Sequence, residues 1–255
     1  MSALDLLYGR NSVTEALRSQ RIVRRVLVAR GTHGLDLLVA EARKFGVRVE
    51  TVDRDRLDNG LRGAHHQGVA AEAEAFPYAH LADALAAAET RGEPALLLVL
   101  DSLQDPQNFG TLLRTAQACG VHGVVIPAHR AVGVTPAVSN ASAGAVEHLR
   151  VCQVTNLSRT LAELKSRGVW VYGLTTDAEQ PYYDQDLGGS VALVVGSEGG
   201  GIGRLVREAC DVLVTIPMAE GAIQSLNASV AGSVVLYEAF RQRRPSQASL
   251  TQNHT

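Results

Sequence analysis

The stretch VALVVGSEGGGIGRLVREACDVLVTIP, residues 191–217, decides the fold of this 255-residue chain. It contains two short apolar runs, 191–197 and 211–217, separated by a glycine-rich loop and an amphipathic segment. Apolar runs without polar alternation are typical of parallel strands that are buried on both faces of a sheet. The stretch therefore predicts a strand–loop–helix–strand unit of an α/β fold.

The same pattern extends upstream to residue 95. Further apolar runs are ALLLVLD (95–101), GVVIP (123–127), VWVYGLT (169–175) and the weaker candidate LRVCQV (149–154). Because helical patterns separate these runs, we predict a parallel sheet covered on both faces over residues 95–244. The polar end, 245–255, has no periodicity and is expected to be a disordered tail.

Residues 1–78 contain shorter elements and predict a separate, small α/β domain. An alternating strand at 22–29 follows a helical segment, and two further helical segments and two further strands complete the pattern. The alanine-rich segment 79–94 has a proline near each end and predicts a linker with one short helix. We therefore expect two folded domains, 1–78 and 95–244.

Composition excludes several classes of protein. With 46% apolar and 20% charged residues, the chain is neither disordered nor collagen-like. No apolar run reaches the ~18–20 residues of a membrane-spanning helix. The segment MSALDLLYGRNSV lacks a basic stretch followed by an apolar one, so we do not expect it to be a secretory signal. The three cysteines, at 119, 152 and 210, lack ligand spacing and are interpreted as reduced thiols. We expect a soluble, cytoplasmic protein without a metal site or a membrane partner.

The net charge of −2 conceals an asymmetry between the two predicted domains. Residues 1–78 hold 12 Lys+Arg and 10 Asp+Glu, whereas the remainder holds 12 and 16. Six arginines lie within 10–30, together with a single glutamate. Such a cluster is typical of a nucleic-acid-binding surface, but it also fits a solvated helix face.

Three loops that follow predicted strands carry the candidate functional residues, because ligands of parallel sheets bind at the carboxyl ends of strands. The first loop, DSLQDPQNFG (101–110), contains Asn108, and Gly110 is expected to let the chain turn into the following helix. Arg114 lies on that helix, away from its apolar stripe. It is either a surface arginine or a cation at the mouth of a site. The stripe consists of Leu112, Leu113 and Ala116.

The second loop, GSEGGGIGR (196–204), lies between a predicted strand and a predicted helix. Glycines at such a position permit a close approach of the backbone to a ligand. The spacing matches neither GxxxxGK[ST] nor GxGxxG, which excludes the common nucleotide-binding motifs. Because the carboxylate of Glu198 would repel a phosphate, the loop favours a neutral or cationic ligand.

The third loop leads from the last predicted strand into a long helix, with the sequence IPMAEGAIQSLNASVA (216–231). Ser225 and Asn227 are interpreted either as helix caps or as functional residues. The apolar residues of the helix predict a buried stripe, and its further apolar residues suggest a second apolar side. The predicted stripe is Leu226, Val230, Val234, Tyr237 and Phe240.

Three segments together resemble the signature motifs of the SpoU/TrmH family of RNA ribose 2′-O-methyltransferases, which belongs to the knotted SPOUT superfamily. These segments are NFGTLLRTAQACGV (108–121), LVVGSEGGGIGRLVREACD (193–211) and IPMAEGAIQSLNASVA (216–231). The resemblance covers 95–243, although the loop between Ile216 and Leu226 is one residue longer than is usual in the family. The N-terminal part, with YGRNSVTEAL and HHQGVAAE, is similar to the ribosomal-protein-like RNA-binding domain of the subgroup that methylates a guanosine of 23S rRNA.

The resemblance implies a fold, a cofactor and a partner. It implies a C-terminal trefoil knot, which composition alone could not predict because knots are rare. It implies S-adenosylmethionine as cofactor, RNA rather than DNA as substrate, and a homodimer. The implied cofactor-binding residues are Leu174, Thr175, Gly196, Ile216 and Leu226. The candidate RNA contacts of the N-terminal domain are Arg10, Arg21, Arg24, Arg25 and His66.

The implied catalytic residues are Arg114, Asn108, Glu198, Ser225 and Asn227. A guanidinium with a pKa above ~12 is a poor general base, so we interpret Arg114 as a clamp for the RNA phosphate and the developing alkoxide. Two other functions remain open at this point. One is a ribose 2′-O-methyltransferase for tRNA or another RNA, and the other is a non-catalytic RNA-binding protein that kept the fold.

Overall fold

The computed structural model describes residues 4–219 and 225–244, which form two units. The first unit combines the chain up to Tyr78 with two later segments, Asp105–Arg114 and Val132–Leu149. The second unit contains Ala79–Gln104, Thr115–Ala131 and the chain from Arg150 onward. Two segments of the predicted C-terminal domain therefore pack with the N-terminal part of the chain.

The first unit is built on a four-stranded sheet with the order β1-β4-β2-β3. Its strands are β1 (Asp5–Tyr8), β2 (Val23–Ala29), β3 (Arg48–Val52) and β4 (Val69–Ala73). Its first helices are α1 (Arg10–Arg18), α2 (Asp36–Lys44) and α3 (Arg54–Gly60). Strands β2 and β3 pair in parallel, and β4 pairs antiparallel with β1 and β2. The sequence predicted every one of these elements except β1, whose four residues are too few to show an alternating pattern.

Two helices from the later segments complete this unit: α5 (Pro106–Ala118), which begins in it, and α6 (Pro136–Ala141). The carboxylate of Asp105 accepts hydrogen bonds from the backbone N–H groups of Gln107 (3.2 Å) and Asn108 (3.1 Å), and this cap starts α5. The sequence prediction that Asn108 and Gly110 lie in a loop is therefore wrong, because the helix begins before both residues.

Gly110 also has a different role from the predicted turn. A Cβ atom added to Gly110 would lie 2.4 Å from the Cβ of Ala141 and 2.8 Å from the backbone nitrogen of Ser142. The glycine therefore lets α5 pack closely against the end of α6. Farther along α5, Leu112, Leu113 and Ala116 are buried and Arg114 is exposed, as predicted.

The second unit is a seven-stranded parallel sheet with the order β7-β6-β5-β10-β8-β11-β9. Its strands are β5 (Leu96–Leu100), β6 (Gly123–Pro127), β7 (Val151–Val154), β8 (Trp170–Leu174), β9 (Gln180–Pro181), β10 (Val191–Val195) and β11 (Val212–Thr215). Its other helices are α4 (Leu81–Arg91), α7 (Leu157–Ser166), α8 (Arg204–Ala209) and α9 (Ala228–Arg243). The predicted parallel α/β sheet is confirmed, and the two-residue β9 is the strand that the sequence did not predict.

Helix α9 buries a different face from the predicted one. Val230 and Tyr237 of the predicted stripe are 48% and 53% exposed. The residues that are buried instead are Ser229, Gly232, Val235, Leu236 and Ala239. The prediction was wrong because α9 carries apolar residues on more than one side, so periodicity could not decide which side packs against the sheet.

The C-terminal end of α9 is held by Arg243. Its guanidinium donates hydrogen bonds to the carbonyl oxygens of Pro94 (2.7 Å), Ala95 (3.1 Å) and, through Nε, Leu187 (3.1 Å). The passage from β11 to α9, on which the expected knot depends, includes 220–224, which lie outside the described residues, as does the expected tail 245–255. Among the helices of residues 4–219 and 225–244, none is long and apolar enough to cross a membrane.

Arg21 is a buried structural cation of the first unit. Its guanidinium lies 2.8 Å from Glu147 Oε1, forms an ion pair with Asp5 and donates to the carbonyl oxygen of Glu74 at 3.0 Å. The side chains of Arg21 and Glu147 are 2% and 1% exposed. Burial raises the pKa of Glu147, and the charge of Arg21 opposes this shift. Arg21 was predicted as an RNA contact, which its burial contradicts.

We expect Arg21→Ala to destabilise the protein strongly, because it leaves the carboxylate of Glu147 buried without its partner. Breaking a buried ion pair costs about 3–5 kcal/mol, which urea denaturation would measure as a lower free energy of unfolding. Because burial raises the pKa of Glu147, the loss should shrink at acidic pH, where that carboxyl becomes neutral.

Arg30→Ala is the control for this prediction. Its guanidinium is 76% exposed and lies 3.6 Å from Asp53, and exposed pairs contribute only about 0–1 kcal/mol. Equal losses for Arg21→Ala and Arg30→Ala would contradict the structural role of Arg21. Adding Glu147→Gln to Arg21→Ala should recover part of the stability.

Candidate functional site

A cavity of about 1030 Å³ opens at the carboxyl ends of β8, β10 and β11 in the second unit. It is lined by the loops that follow these three strands and by the first turn of α9. The structure brings together there all five predicted cofactor-binding residues and three of the predicted catalytic residues. These are Leu174, Thr175, Gly196, Ile216, Leu226, Glu198, Ser225 and Asn227.

The glycine-rich loop folds back on itself directly after β10. Ser197 and Gly201 exchange two backbone hydrogen bonds, of 3.0 and 2.9 Å, and the turn between them places Gly199 at φ +76° and Gly201 at φ +61°. A Cβ on Gly196 would lie 2.1 Å from the carbonyl carbon of Gly201. Gly196 therefore permits the backbone of its own loop to pass over it. The sequence predicts instead that the glycines of this loop permit the close approach of a ligand.

The far end of this loop is anchored to β5. The backbone N–H of Gly203 donates to Asp101 Oδ2 at 2.7 Å, and Ser102 Oγ donates to Asp101 Oδ1 at 3.0 Å. Asp101 is only 7% exposed, so both hydrogen bonds satisfy a buried carboxylate. No local pattern indicates this role of Asp101, because its partner Gly203 lies 102 residues away.

The polar groups at the rim of the cavity include one ion pair. Arg207 donates to Asp177 Oδ1 at 2.9 Å, and this hydrogen bond lowers the pKa of Asp177. Thr175 Oγ1 is buried and makes no hydrogen bond of normal geometry within the described part of the chain, although its proximity also lowers the pKa of Asp177. The charge of Arg207 is therefore balanced by that of Asp177.

Asn227 is the N-cap of α9. Its Oδ1 accepts hydrogen bonds from the backbone N–H of Ser229 at 2.8 Å, from Ser229 Oγ at 2.7 Å and from the N–H of Val230 at 3.4 Å. The capping interpretation therefore applies to Asn227, whereas Ser225 precedes the cap and is exposed. Both residues line the cavity at the start of α9.

The other two predicted catalytic residues lie on α5. Asn108 is half-buried in the first turn, where its backbone N–H is bound by Asp105, and Arg114 is exposed. Both belong to the first unit.

The basic residues of the N-terminal sheet are mostly paired with carboxylates. Arg25 on β2 binds Glu72 on β4 through Nε (2.7 Å) and Nη2 (2.6 Å), and it also reaches Glu50 at 2.9 Å. Arg24, also on β2, forms a single ion pair with Glu74, which directly follows β4. Because β2 and β4 are adjacent, Glu72 in β4 and Glu74 directly after it are the sequence signal for this pairing.

Two further candidates for RNA contact also have structural partners. Arg10 donates to the carbonyl oxygens of His33 (2.8 Å) and Gly34 (3.3 Å). His66 has a side chain that is 2% exposed, lies 2.8 Å from Asp58 Oδ1 through Nε2, and accepts from the N–H of Gly68 through Nδ1. The burial of His66, like that of Arg21, contradicts a direct contact with RNA.

The cysteines do not fit a nucleophilic mechanism. Burial raises the pKa of Cys119 and Cys152 to about 11 and that of Cys210 to about 12, so their thiols stay protonated at neutral pH. Over 4–219 and 225–244, no group of three or more His, Cys, Asp or Glu residues is arranged to hold a metal ion.

Comparisons with known proteins match both parts of the chain to RNA methyltransferases. Residues 95–237 match the model of the SpoU rRNA methylase family, and residues 6–79 match the model for RNA 2′-O ribose methyltransferase substrate binding. A Bacillus subtilis protein assigned to the TrmH family of tRNA/rRNA methyltransferases is 47% identical over 94% of this chain and 97% of its own length. The 23S rRNA (guanosine-2′-O-)-methyltransferase RlmB of Ralstonia nicotianae is 46% identical over 95% of this chain and 98% of its own.

Solved structures show the same fold. The SpoU methyltransferase AviRb of Streptomyces viridochromogenes, crystallised with the cofactor AdoMet, superposes with a TM-score of 0.79 and 27% identity over 94% of this chain and 90% of that one. The family model covers more than half of the sequence, and the two relatives cover nearly all of it. The chain therefore belongs to the SpoU rRNA methylase family.

Proposed function

We propose that this SpoU-family enzyme transfers the methyl group of S-adenosylmethionine to the ribose 2′-hydroxyl of a guanosine in 23S rRNA. The observation that carries the proposal is the cavity at β8, β10 and β11 in a chain 46% identical, over 95% of its length, to a 23S rRNA (guanosine-2′-O-)-methyltransferase. A tRNA ribose is the second candidate, since the Bacillus subtilis relative is assigned to tRNA/rRNA methyltransferases. An rRNA substrate also fits the cytoplasmic location expected from the sequence.

The residues of the cavity fit S-adenosylmethionine. Its volume of about 1030 Å³ accommodates a nucleoside-sized ligand, and Thr175 is among the residues that line it. Glu198 suits a ligand that carries a positive sulfonium and no phosphate. When bound, this cofactor supplies an electrophilic methyl group. Leu174, Gly196, Ile216 and Leu226 would enclose its nucleoside part.

The proposed chemistry needs a group that compensates charge on the attacking oxygen, because a sugar hydroxyl is a weak nucleophile at neutral pH. We assign this role to Arg114, whose guanidinium stays charged and can orient a phosphate while stabilising the developing alkoxide. Asn108, Glu198 and Ser225 would position the ribose. Asn227 would help to position the ribose through its Nδ2 group, because its Oδ1 already caps α9.

The proposed role of residues 6–79 is RNA affinity. Of the predicted contacts, Arg10, Arg24 and Arg25 remain in the proposal, whereas Arg21 and His66 are buried. Their present partners are carboxylates or carbonyl oxygens, which RNA phosphates can replace. Binding of arginines to RNA phosphates weakens as the salt concentration rises.

The proposed assembly is a homodimer. Helix α9 exposes Val230 (48%) and Tyr237 (53%) on the side that does not pack against the sheet, and the Tyr237 ring meets Phe240 edge-on at 6.2 Å. A second copy of the chain could cover these apolar side chains and remove them from water.

Gly196→Ala should abolish the binding of S-adenosylmethionine, because its methyl group would collide with the backbone of Gly201 and displace the loop. Isothermal titration calorimetry would measure the loss. Gly189→Ala is the matched control, since an added Cβ there meets nothing within 4 Å. If Gly196→Ala bound the cofactor as tightly as the wild-type protein does, the assigned site would be wrong. If EDTA weakened cofactor binding by the wild-type protein, the site would need a metal ion.

Arg114→Ala should lower the single-turnover rate of methylation by about 10²–10³, the usual effect of removing one donor to a developing oxyanion. Arg114→Lys should recover little, because a point charge does not reproduce a planar, two-pronged donor. Since Arg114 is exposed, circular dichroism should show an unchanged fold and calorimetry an unchanged cofactor affinity. A near-normal rate in Arg114→Ala would refute the role.

Tyr237→Glu should convert the dimer to a monomer, because it places a charge in the proposed apolar interface. Sedimentation velocity at micromolar concentration would distinguish the two states. Leu205→Glu serves as a control, since Leu205 is a similarly exposed apolar residue (59%) on α8. A monomeric wild-type protein would disprove the proposed assembly.

A further inference from the structure

We propose that α6 positions the helix of Arg114 relative to the RNA-binding fold, with Asn140 and Gly110 as the positioning residues. This inference rests on the proposed function, in which residues 6–79 bind RNA and Arg114 acts on the ribose. Its structural basis is that Asp105–Arg114, Val132–Leu149 and the N-terminal fold form one unit.

The first contact joins α6 to β1. Asn140 Nδ2 donates to the carbonyl oxygen of Tyr8 at 3.1 Å. The next residue, Gly9, has φ +86°, and a Cβ there would lie 2.5 Å from Asn140 Nδ2. Gly9 therefore leaves the space that the Asn140 amide needs to reach the backbone of the RNA-binding fold.

A buried hydrogen-bonded chain reinforces this contact. Ser139 Oγ lies 2.7 Å from Ser12 Oγ on α1 and donates to Glu147 Oε1 at 3.1 Å, and Glu147 in turn binds Arg21. Ser12 and Ser139 are 1% and 0% exposed. Because each of these polar groups is buried and has its partner, the α6 segment has a defined position on the N-terminal fold.

The second contact joins α6 to α5. Gly110 packs so closely that an added Cβ would lie 2.4 Å from Ala141 Cβ and 2.8 Å from the carbonyl carbon of Ala141. Gly110 precedes Arg114 by about one helical turn, or ~6 Å along the axis. A displacement of α6 is therefore passed to Arg114, because close-packed interiors transmit strain instead of absorbing it.

The functional consequence is that α6 fixes the distance between Arg114 and the RNA that the N-terminal fold binds. Moving a catalytic group by ~1 Å can lower the rate of a reaction by ~10²-fold. The contacts at Asn140 and Gly110 should therefore affect the rate of methylation more than the affinity for RNA. Neither residue needs to touch RNA or cofactor for this effect.

The kinetic test compares Asn140→Ala and Gly110→Ala with wild-type enzyme in single turnovers, with S-adenosylmethionine and a 23S rRNA transcript both saturating. Each variant should lose at least ~10-fold in rate while the Kd values for RNA and cofactor stay at wild-type levels. Adding Ala141→Gly to Gly110→Ala removes the closest clash and should restore part of the rate. Gln117→Ala, an exposed amide farther along α5, is the control with wild-type rate.

Hydrogen exchange tests the coupling without any activity. In Asn140→Ala, the amides of Asp105–Arg114 should exchange faster, whereas those of β10 should not change. Wild-type rates together with wild-type exchange in both variants would overturn the inference, as would a loss explained entirely by weaker RNA binding. If the exchange responds as expected but wild-type enzyme methylates no ribose of 23S rRNA, the proposed function fails and the coupling of α6 to α5 stands.

Discussion

The backbone of Gly201 and Ile202 passes directly over Gly196, and the geometry of the cavity depends on this crossing. The space left by the missing Cβ lets the loop turn back at the end of β10. Asp101, on the neighbouring strand end, then holds Gly203 at 2.7 Å. Two strand ends and one loop are thereby joined into a single wall, against which the start of α9 completes the cavity.

The charged side chains have different roles in the two units. In the first unit, most arginines neutralise carboxylates of neighbouring strands and helices, and the buried pair of Arg21 and Glu147 ties the later segment to the N-terminal fold. In the second unit, the cavity is lined mainly by glycines and by uncharged side chains, with the ion pair of Arg207 and Asp177 at its rim. Such a lining suits a ligand that is recognised by shape and hydrogen bonds instead of by phosphate charge.

The division into units changes how the proposed catalytic set is understood. Residues that the sequence places in one domain belong to two units, with Asn108 and Arg114 in the first and Glu198, Ser225 and Asn227 in the second. In the proposed function, Arg114 and Asn108 thus belong to the unit of the N-terminal sheet, and the residues that line the cofactor cavity belong to the unit of the parallel sheet.

The parallel sheet follows from the sequence alone, because strands buried on both faces leave continuous apolar runs, and the residues that line the cavity could be located because they match the family motifs. The sequence also indicated the exposed position of Arg114 through the period of α5. The sequence does not show which charges are paired, which face of α9 is buried or where α5 begins. Each of these depends on partners that are distant in sequence: Glu147 for Arg21, the sheet for α9, and Ala141 for Gly110. A local pattern records the period and polarity of a segment, but it contains no information about what that segment meets after the chain has folded.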